Sequence, residues 1–209
     1  MKKLFFIAAM LVAGFANAQS RYDGAMEKGL AQLKEAKTPA EMLAVSSFFE
    51  RVADAEKDKW LPYYYAARTN ILGGWMDPKA DKDKSAEKSK ELIAKAEALE
   101  PNNAEIYCLK QQVAVQQLTV DAMSRWQTYG AVAAEAIARA KSVDPQNPRP
   151  YLLEGQYQLN VPEAFGGGKA VAKKLLEKSV ALFNSYKPAS PFHPDWGKEL
   201  AEKTLAACQ

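Results

Sequence analysis

The stretches AKAEALEPNNAEIY (94–107) and ARAKSVDPQNPRPY (138–151) decide the fold. Laid over one another they place Ala96 on Ala140, Pro101 on Pro145 and Tyr107 on Tyr151, each pair 44 residues apart. The interval recurs towards the N-terminus, where Tyr63 precedes Tyr107 by 44 residues and Phe49, Ile93 and Ile137 keep the same step. Arg68, Gln112 and Gln156 keep it too. A fixed period of this size marks a stack of supersecondary units, each burying its apolar face on the next.

Between the repeat marks the apolar residues recur at helical spacing, and the alternation of strands is absent. Tyr22, Met26, Leu30 and Leu33 form one face of a first helix over 21–36. Thr38-Pro39-Ala40-Glu41 reads as an N-cap, a proline at N1 and a capping-box glutamate. A third helix runs over 59–72 and carries Trp60 and Tyr63-Tyr64-Tyr65, with Gly73-Gly74 and Asp77-Pro78 as its stop. Further helices are expected over 85–99, from Asn102 as cap to Leu118, over 122–143, from the Asn147 cap and Pro148 to Leu159, and over 169–183. Lys187 to Pro194 holds three prolines and is expected to be irregular, followed by a last helix from about Pro194 that carries Trp196 and Leu200. The expectation is an all-α right-handed solenoid of antiparallel helix hairpins, about nine helices in all, with the first and last as caps.

These residues resemble the tetratricopeptide repeat family, in its exported bacterial form. Ser89, Ile93, Ala96 and Pro101 follow that family's second-helix pattern, as do Ala133, Ile137, Ala140 and Pro145, and Ala172, Leu176 and Ser179 follow it without the proline. Tyr63, Tyr107 and Tyr151 take the aromatic place of the first helix; Ala67, Gln111 and Gly155 take the glycine place. The step of 44 exceeds the family's usual repeat of about 34 because the turn and second helix are longer. A second stretch, Asn160-Val161-Pro162-Glu163-Ala164-Phe165-Gly166-Gly167 with Leu175-Leu176-Glu177-Lys178, is similar to one in the T-component of tripartite periplasmic transporters. That resemblance implies ligand handling beside a transporter.

Residues 1–18 read as an address. Lys2 and Lys3 precede a short apolar run, and Ala16-Asn17-Ala18 is a small-x-small site that puts the mature start at Gln19. The run is too short to span a membrane. Lys2 and Lys3 are two of the chain's 28 basic residues, so the remainder holds 26 against 25 acidic, a net charge of +1. Such a surface gives no reason to expect a nucleic acid or an anionic membrane as partner. Residues 19–209 suit one domain in the periplasm or outside the cell. There Cys108 and Cys208 have the choice of remaining free thiols or of pairing.

Catalytic chemistry finds no foothold. Gly166-Gly167-Gly168-Lys169 lacks the strand and the Ser or Thr of a phosphate loop, and reads as a tight turn. His193 is the only histidine and has no partner marked by spacing. No metal-ligand spacing occurs. The expected function is therefore non-catalytic, without cofactor or metal: binding of a protein or peptide of the cell envelope. The expected site is a polar ladder along the concave face, made of Tyr64, Arg68, Gln112, Gln116, Gln156 and Asn160. Gln and Asn suit the backbone amides of an extended peptide, and Arg68 suits a carboxylate. The alternative is a small apolar ligand held inside the curve by Tyr64, Trp75 and Trp126.

Overall fold

A computed structural model describes residues 20–208, and these are helical with no strand among them. The signal sequence and its cleavage site lie outside the described residues. The elements run α1 (20–35), α2 (Pro39–Ala55), α3 (Trp60–Met76), α4 (Lys82–Leu99), α5 (Ala104–Leu118), α6 (Ala122–Arg125), α7 (Ala131–Val143), α8 (Pro148–Asn160), α9 (Lys169–Phe183) and α10 (Lys198–Ala206). A π-turn over Trp126–Gly130 joins α6 to α7, and a 3-10 turn over Glu163–Phe165 precedes α9. Counting α6, the π-turn and α7 as one bent helix gives nine helices among the described residues.

Local chemistry places the ends. Thr38 caps α2 through a complete capping box: its hydroxyl accepts from Glu41 N–H, while the Glu41 carboxylate accepts from the N–H groups of Lys37 and Thr38. Asn147 caps α8 with proline at N1. Asn103, not Asn102, caps α5; Asn102 instead takes the left-handed turn before it, at φ 58°. Asp81 starts α4 three residues earlier than the periodicity suggests, by accepting from Lys84 N–H.

Gly73-Gly74 does not stop α3. Both glycines are buried inside it, and a Cβ on Gly74 would lie 2.5 Å from Gln116 Nε2 and 2.7 Å from Ser85 Oγ. Gly74 lets α3 press against α4 and α5, while Gly73 faces Leu43 and Met42 of α2. Gly155 does the same for α8, where a Cβ would meet Leu176 Cγ of α9 at 2.8 Å.

Hairpins α3/α4, α5/α7 and α8/α9 are the three units of the 44-residue step, and their first helices α3, α5 and α8 lie side by side. Tyr63 and Tyr151 are buried as core, and Tyr107 packs half-buried on the central cluster. The ladder of ion pairs keeps the period. Glu97 of α4 pairs with Lys110 of α5 at 2.5 Å, and one step on Lys141 of α7 pairs with Glu154 of α8. The partners are equivalent and their charges exchanged. The core falls into three clusters: one from α1 through Tyr64, Phe49, Ile71, Leu92 and Leu109, one of Ile137, Ala140 and Leu153, and one of Leu152, Leu176 and Ala201, with Trp196 packed against the last two.

Candidate functional site

The face expected to be concave is covered by the chain's own C-terminal segment. Trp196 Nε1 donates to Tyr64 Oη at 2.8 Å, and Tyr65 Oη donates to the Phe192 carbonyl at 2.9 Å. The Arg68 guanidinium lies 3.8 Å from the Trp196 ring centroid, a cation–π stack. Arg149 anchors the segment: it is fully buried, donates to Glu105 Oε1 at 2.9 Å through Nη1, and to the Pro194 carbonyl at 2.5 Å through Nη2. Asn147 Nδ2 also donates to Glu105 Oε1, at 2.6 Å. Burial works against the Arg149 charge, but Glu105, Tyr64 and Tyr186 together hold its pKa above the ordinary arginine value. Trp196 sits before α10 rather than on it, because Gly197 at φ 114° turns the chain and the helix begins at Lys198.

The expected ladder is therefore not an open groove. Tyr64 and Gln116 are fully buried, Arg68, Gln112 and Gln156 are half-buried, and Asn160 is exposed. Burial pushes the Tyr64 phenol well up and the Arg68 guanidinium down. Gln116 Nε2 reaches the Ile71 carbonyl at 3.4 Å, and Asn160 bonds back to Gln156 of its own helix. Nor do Tyr64, Trp75 and Trp126 share a pocket. Tyr64 lies under Trp196, while Trp75 is 40% exposed, eleven residues and about 16 Å further along α3.

Cys108 and Cys208 are both buried free thiols, and burial raises the Cys108 pKa. Gly166 to Gly168 forms the turn into α9, with positive φ at Gly166 and Gly168. His193 shares a 2.7 Å hydrogen bond between Nδ1 and Ser190 Oγ, and stands edge-on to Trp60 at 5.7 Å. Burial holds its pKa below the ordinary histidine value.

What remains open lies on the other side of the first helices. Helices α4 and α7 both pack on α5 and leave a groove of about 360 Å³ between them. Its floor and walls are Ile93 and Ala94 of α4, Val113 and Ala114 of α5, and Val132 of α7. Lys90 and the Glu97–Lys110 pair stand at its margin, and Tyr129 of the π-turn closes the far wall. Trp126, three residues before Tyr129, is 59% exposed, and Met123 is 88% exposed. The turn is tied to α4 by Arg125, whose Nη1 and Nη2 donate to Asp83 at 2.7 and 2.9 Å. The Arg125 guanidinium also lies 5.8 Å from the Tyr129 ring centroid. Gln117 Oε1, another lining group, is buried without a protein partner. The volume falls within the ~300–1,000 Å³ of small-molecule sites, and the walls are apolar with polar groups at the edge, as such sites require.

A solved structure shares this fold: the HusA haemophore from Porphyromonas gingivalis, with a TM-score of 0.82, 34% sequence identity, and a match covering 90% of this chain and 92% of that one. The chain belongs to the HusA haemophore family. No protein-family model matches it, and neither does any curated protein. For a HusA-family chain the Porphyromonas protein's name points to binding, which is the kind of function an apolar groove performs. Among the described residues no helix is long and apolar enough to cross a membrane, and no cluster of His, Cys, Asp and Glu is built to hold a metal ion. Tyr129, Val113 and the α4–α7 groove escaped the sequence reading. The usable signal was the exchanged charge at the 97/110 and 141/154 pairs, which marks the same cleft in successive units.

Proposed function

We propose that the protein is an exported haem-binding carrier and that the groove between α4 and α7 holds the porphyrin. The observation that carries this reading is the likeness to the HusA haemophore together with an apolar groove ending on a tyrosine. A porphyrin is a flat apolar ring with two carboxylates at one edge. Ile93, Ala94, Val113, Ala114 and Val132 offer the ring its apolar contact, and Lys90 and Lys110 at the margin offer cations to the carboxylates.

Haem iron takes His, Cys, Met or Tyr as axial ligand in proteins. Of these, Tyr129 lines the groove, and its hydroxyl makes no hydrogen bond to a protein group among the described residues. Arg125, paired with Asp83, lies 5.8 Å from the Tyr129 ring centroid and steadies the ring at the groove. His193 is held by Ser190 and Trp60 in the C-terminal segment and takes no part. The function is binding and release, with no reaction.

The test is an absorbance titration of the protein with hemin, beside the Tyr129→Phe and His193→Ala variants. The expected result is a saturable Soret change. Tyr129→Phe shifts the band and weakens binding at least tenfold, and His193→Ala matches the unaltered protein. Loss of binding in His193→Ala with Tyr129→Phe unaffected would overturn the assignment.

A further inference from the structure

Residues 122–130 carry Tyr129 to the groove, and none of them is buried. The segment interrupts the helix with a π-turn, a form that occurs mostly as single turns and often at functional sites. With no buried side chain to hold it, such a segment opens locally at low cost unless polar contacts fix it. Among the described residues, the hydrogen bonds that tie it to α4 end on one carboxylate, Asp83. Arg125 Nη1 donates to its Oδ1 at 2.7 Å and Nη2 to its Oδ2 at 2.9 Å. Gln117 Nε2, from α5, donates to the same Oδ1 at 3.3 Å. We infer that Asp83 is the positioning residue of the groove, setting Tyr129 through Arg125 and Gln117 directly; this rests on the haem reading of that groove.

Asp83 sits in the first turn of α4, where the helix dipole favours a carboxylate and the Asp81 cap holds the backbone. The fork of Arg125 is planar, so two parallel bonds to Asp83 fix its direction as well as its distance. Arg125 Nη1 also donates to the Gln117 carbonyl at 3.2 Å, and the guanidinium lies 5.8 Å from the Tyr129 ring centroid. Arg125 is thereby held between α4 and the end of α5, with Tyr129 against it. A carboxylate only accepts, so Asp83 takes the amide NH2 of Gln117 and settles which way that side chain lies in the groove lining. One carboxylate thus orders a group on each of two walls. The pair with Arg125 is partly exposed. Such a pair adds little to global stability, but a bidentate one holds its geometry.

The test uses Asp83→Asn, Asp83→Glu, Tyr129→Phe, and Asp83→Asn combined with Tyr129→Phe. Without hemin, Asp83→Asn should speed amide hydrogen exchange over 122–130, while its Tm falls by no more than about 4 °C. With hemin, it should weaken binding about fivefold and move the Soret band towards that of Tyr129→Phe. The double variant should lose less than the product of the two separate fold-losses, because both changes act on Tyr129. Asp83→Glu keeps the carboxylate and should keep the parent's Soret band. Unchanged exchange over 122–130 in Asp83→Asn would overturn the positioning role, as would an unmoved Soret band with a fully multiplicative loss in the double variant. Faster exchange throughout the chain with a larger fall in Tm would also overturn it, since that is loss of fold rather than of position. A parent that binds hemin and weakens in Tyr129→Phe, with Asp83→Asn binding as the parent does, would strike Asp83 alone. A parent with no saturable hemin uptake would overturn the haem reading itself, and the role of Asp83 in it.

Discussion

Replacing Glu105 by Gln removes one charge from the pair that anchors the C-terminal segment and keeps the shape. Arg149 then stays fully buried with its guanidinium charge unmatched, since its remaining contacts are the Pro194 carbonyl and the rings of Phe183, Tyr186 and Trp196. Breaking a buried pair from one side costs about 3–5 kcal/mol. The carbonyl and rings retain part of the stabilisation, so the lower end, about 3 kcal/mol, is expected. For a chain of this size 1 kcal/mol moves Tm by about 2–4 °C, giving a drop of about 6–12 °C. Urea denaturation followed by far-UV circular dichroism measures the free energy, and a thermal scan measures Tm. Arg149→Met completes the cycle: the double variant should be destabilised by clearly less than the two single variants added together, because neither leaves an orphan charge when both are gone. A loss below about 1 kcal/mol for Glu105→Gln, or additive single effects, would refute the claim that this pair is buried and coupled.

Trp196→Ala removes the bond to Tyr64 and the stack on Arg68, and should cost about 3 kcal/mol while exposing the concave face to solvent, visible as ANS binding. Gly155→Ala should lose about 1 kcal/mol by urea denaturation, because the clash with Leu176 outweighs the helix-propensity gain, whereas Gly24→Ala, with open space around it, should gain roughly 0.5–1 kcal/mol. Burial lowers the folded pKa of His193 below its ordinary value of about 6.5, so the folded chain binds fewer protons than the unfolded one as pH falls below that value. The stability of the parent relative to His193→Gln should therefore be unchanged above about pH 7, fall as the pH drops through about 6.5, and level off below the depressed pKa, as read from Tm at each pH.

The helical architecture was legible because its causes are local. Tyr63, Tyr107 and Tyr151, the prolines at 101 and 145, and the caps at Thr38 and Asn147 each act within a few residues of themselves. Gly73-Gly74 misled because glycine ends helices in isolation, yet here Gly74 answers a contact with Gln116 some forty residues away and Gly73 one with Leu43 of α2. The concave ladder misled for the same reason on a larger scale. The step placed Tyr64, Arg68 and Gln112 on one face, but what covers that face is Trp196, 132 residues beyond Tyr64. No periodicity records such a meeting. The groove between α4 and α7 depends on how far two helices stand apart across a third, a quantity set by packing on α5. The sequence shows its residues and not their separation.

The most direct measurement is amide hydrogen exchange of the protein with and without one equivalent of hemin. Bound haem should slow exchange over the α4 segment 90–97, the α5 segment 110–117 and the π-turn with the start of α7, 126–132. The C-terminal segment 190–197 should exchange alike in both states. Protection confined to 64–72 and 190–197 would place the ligand on the concave face and contradict the account.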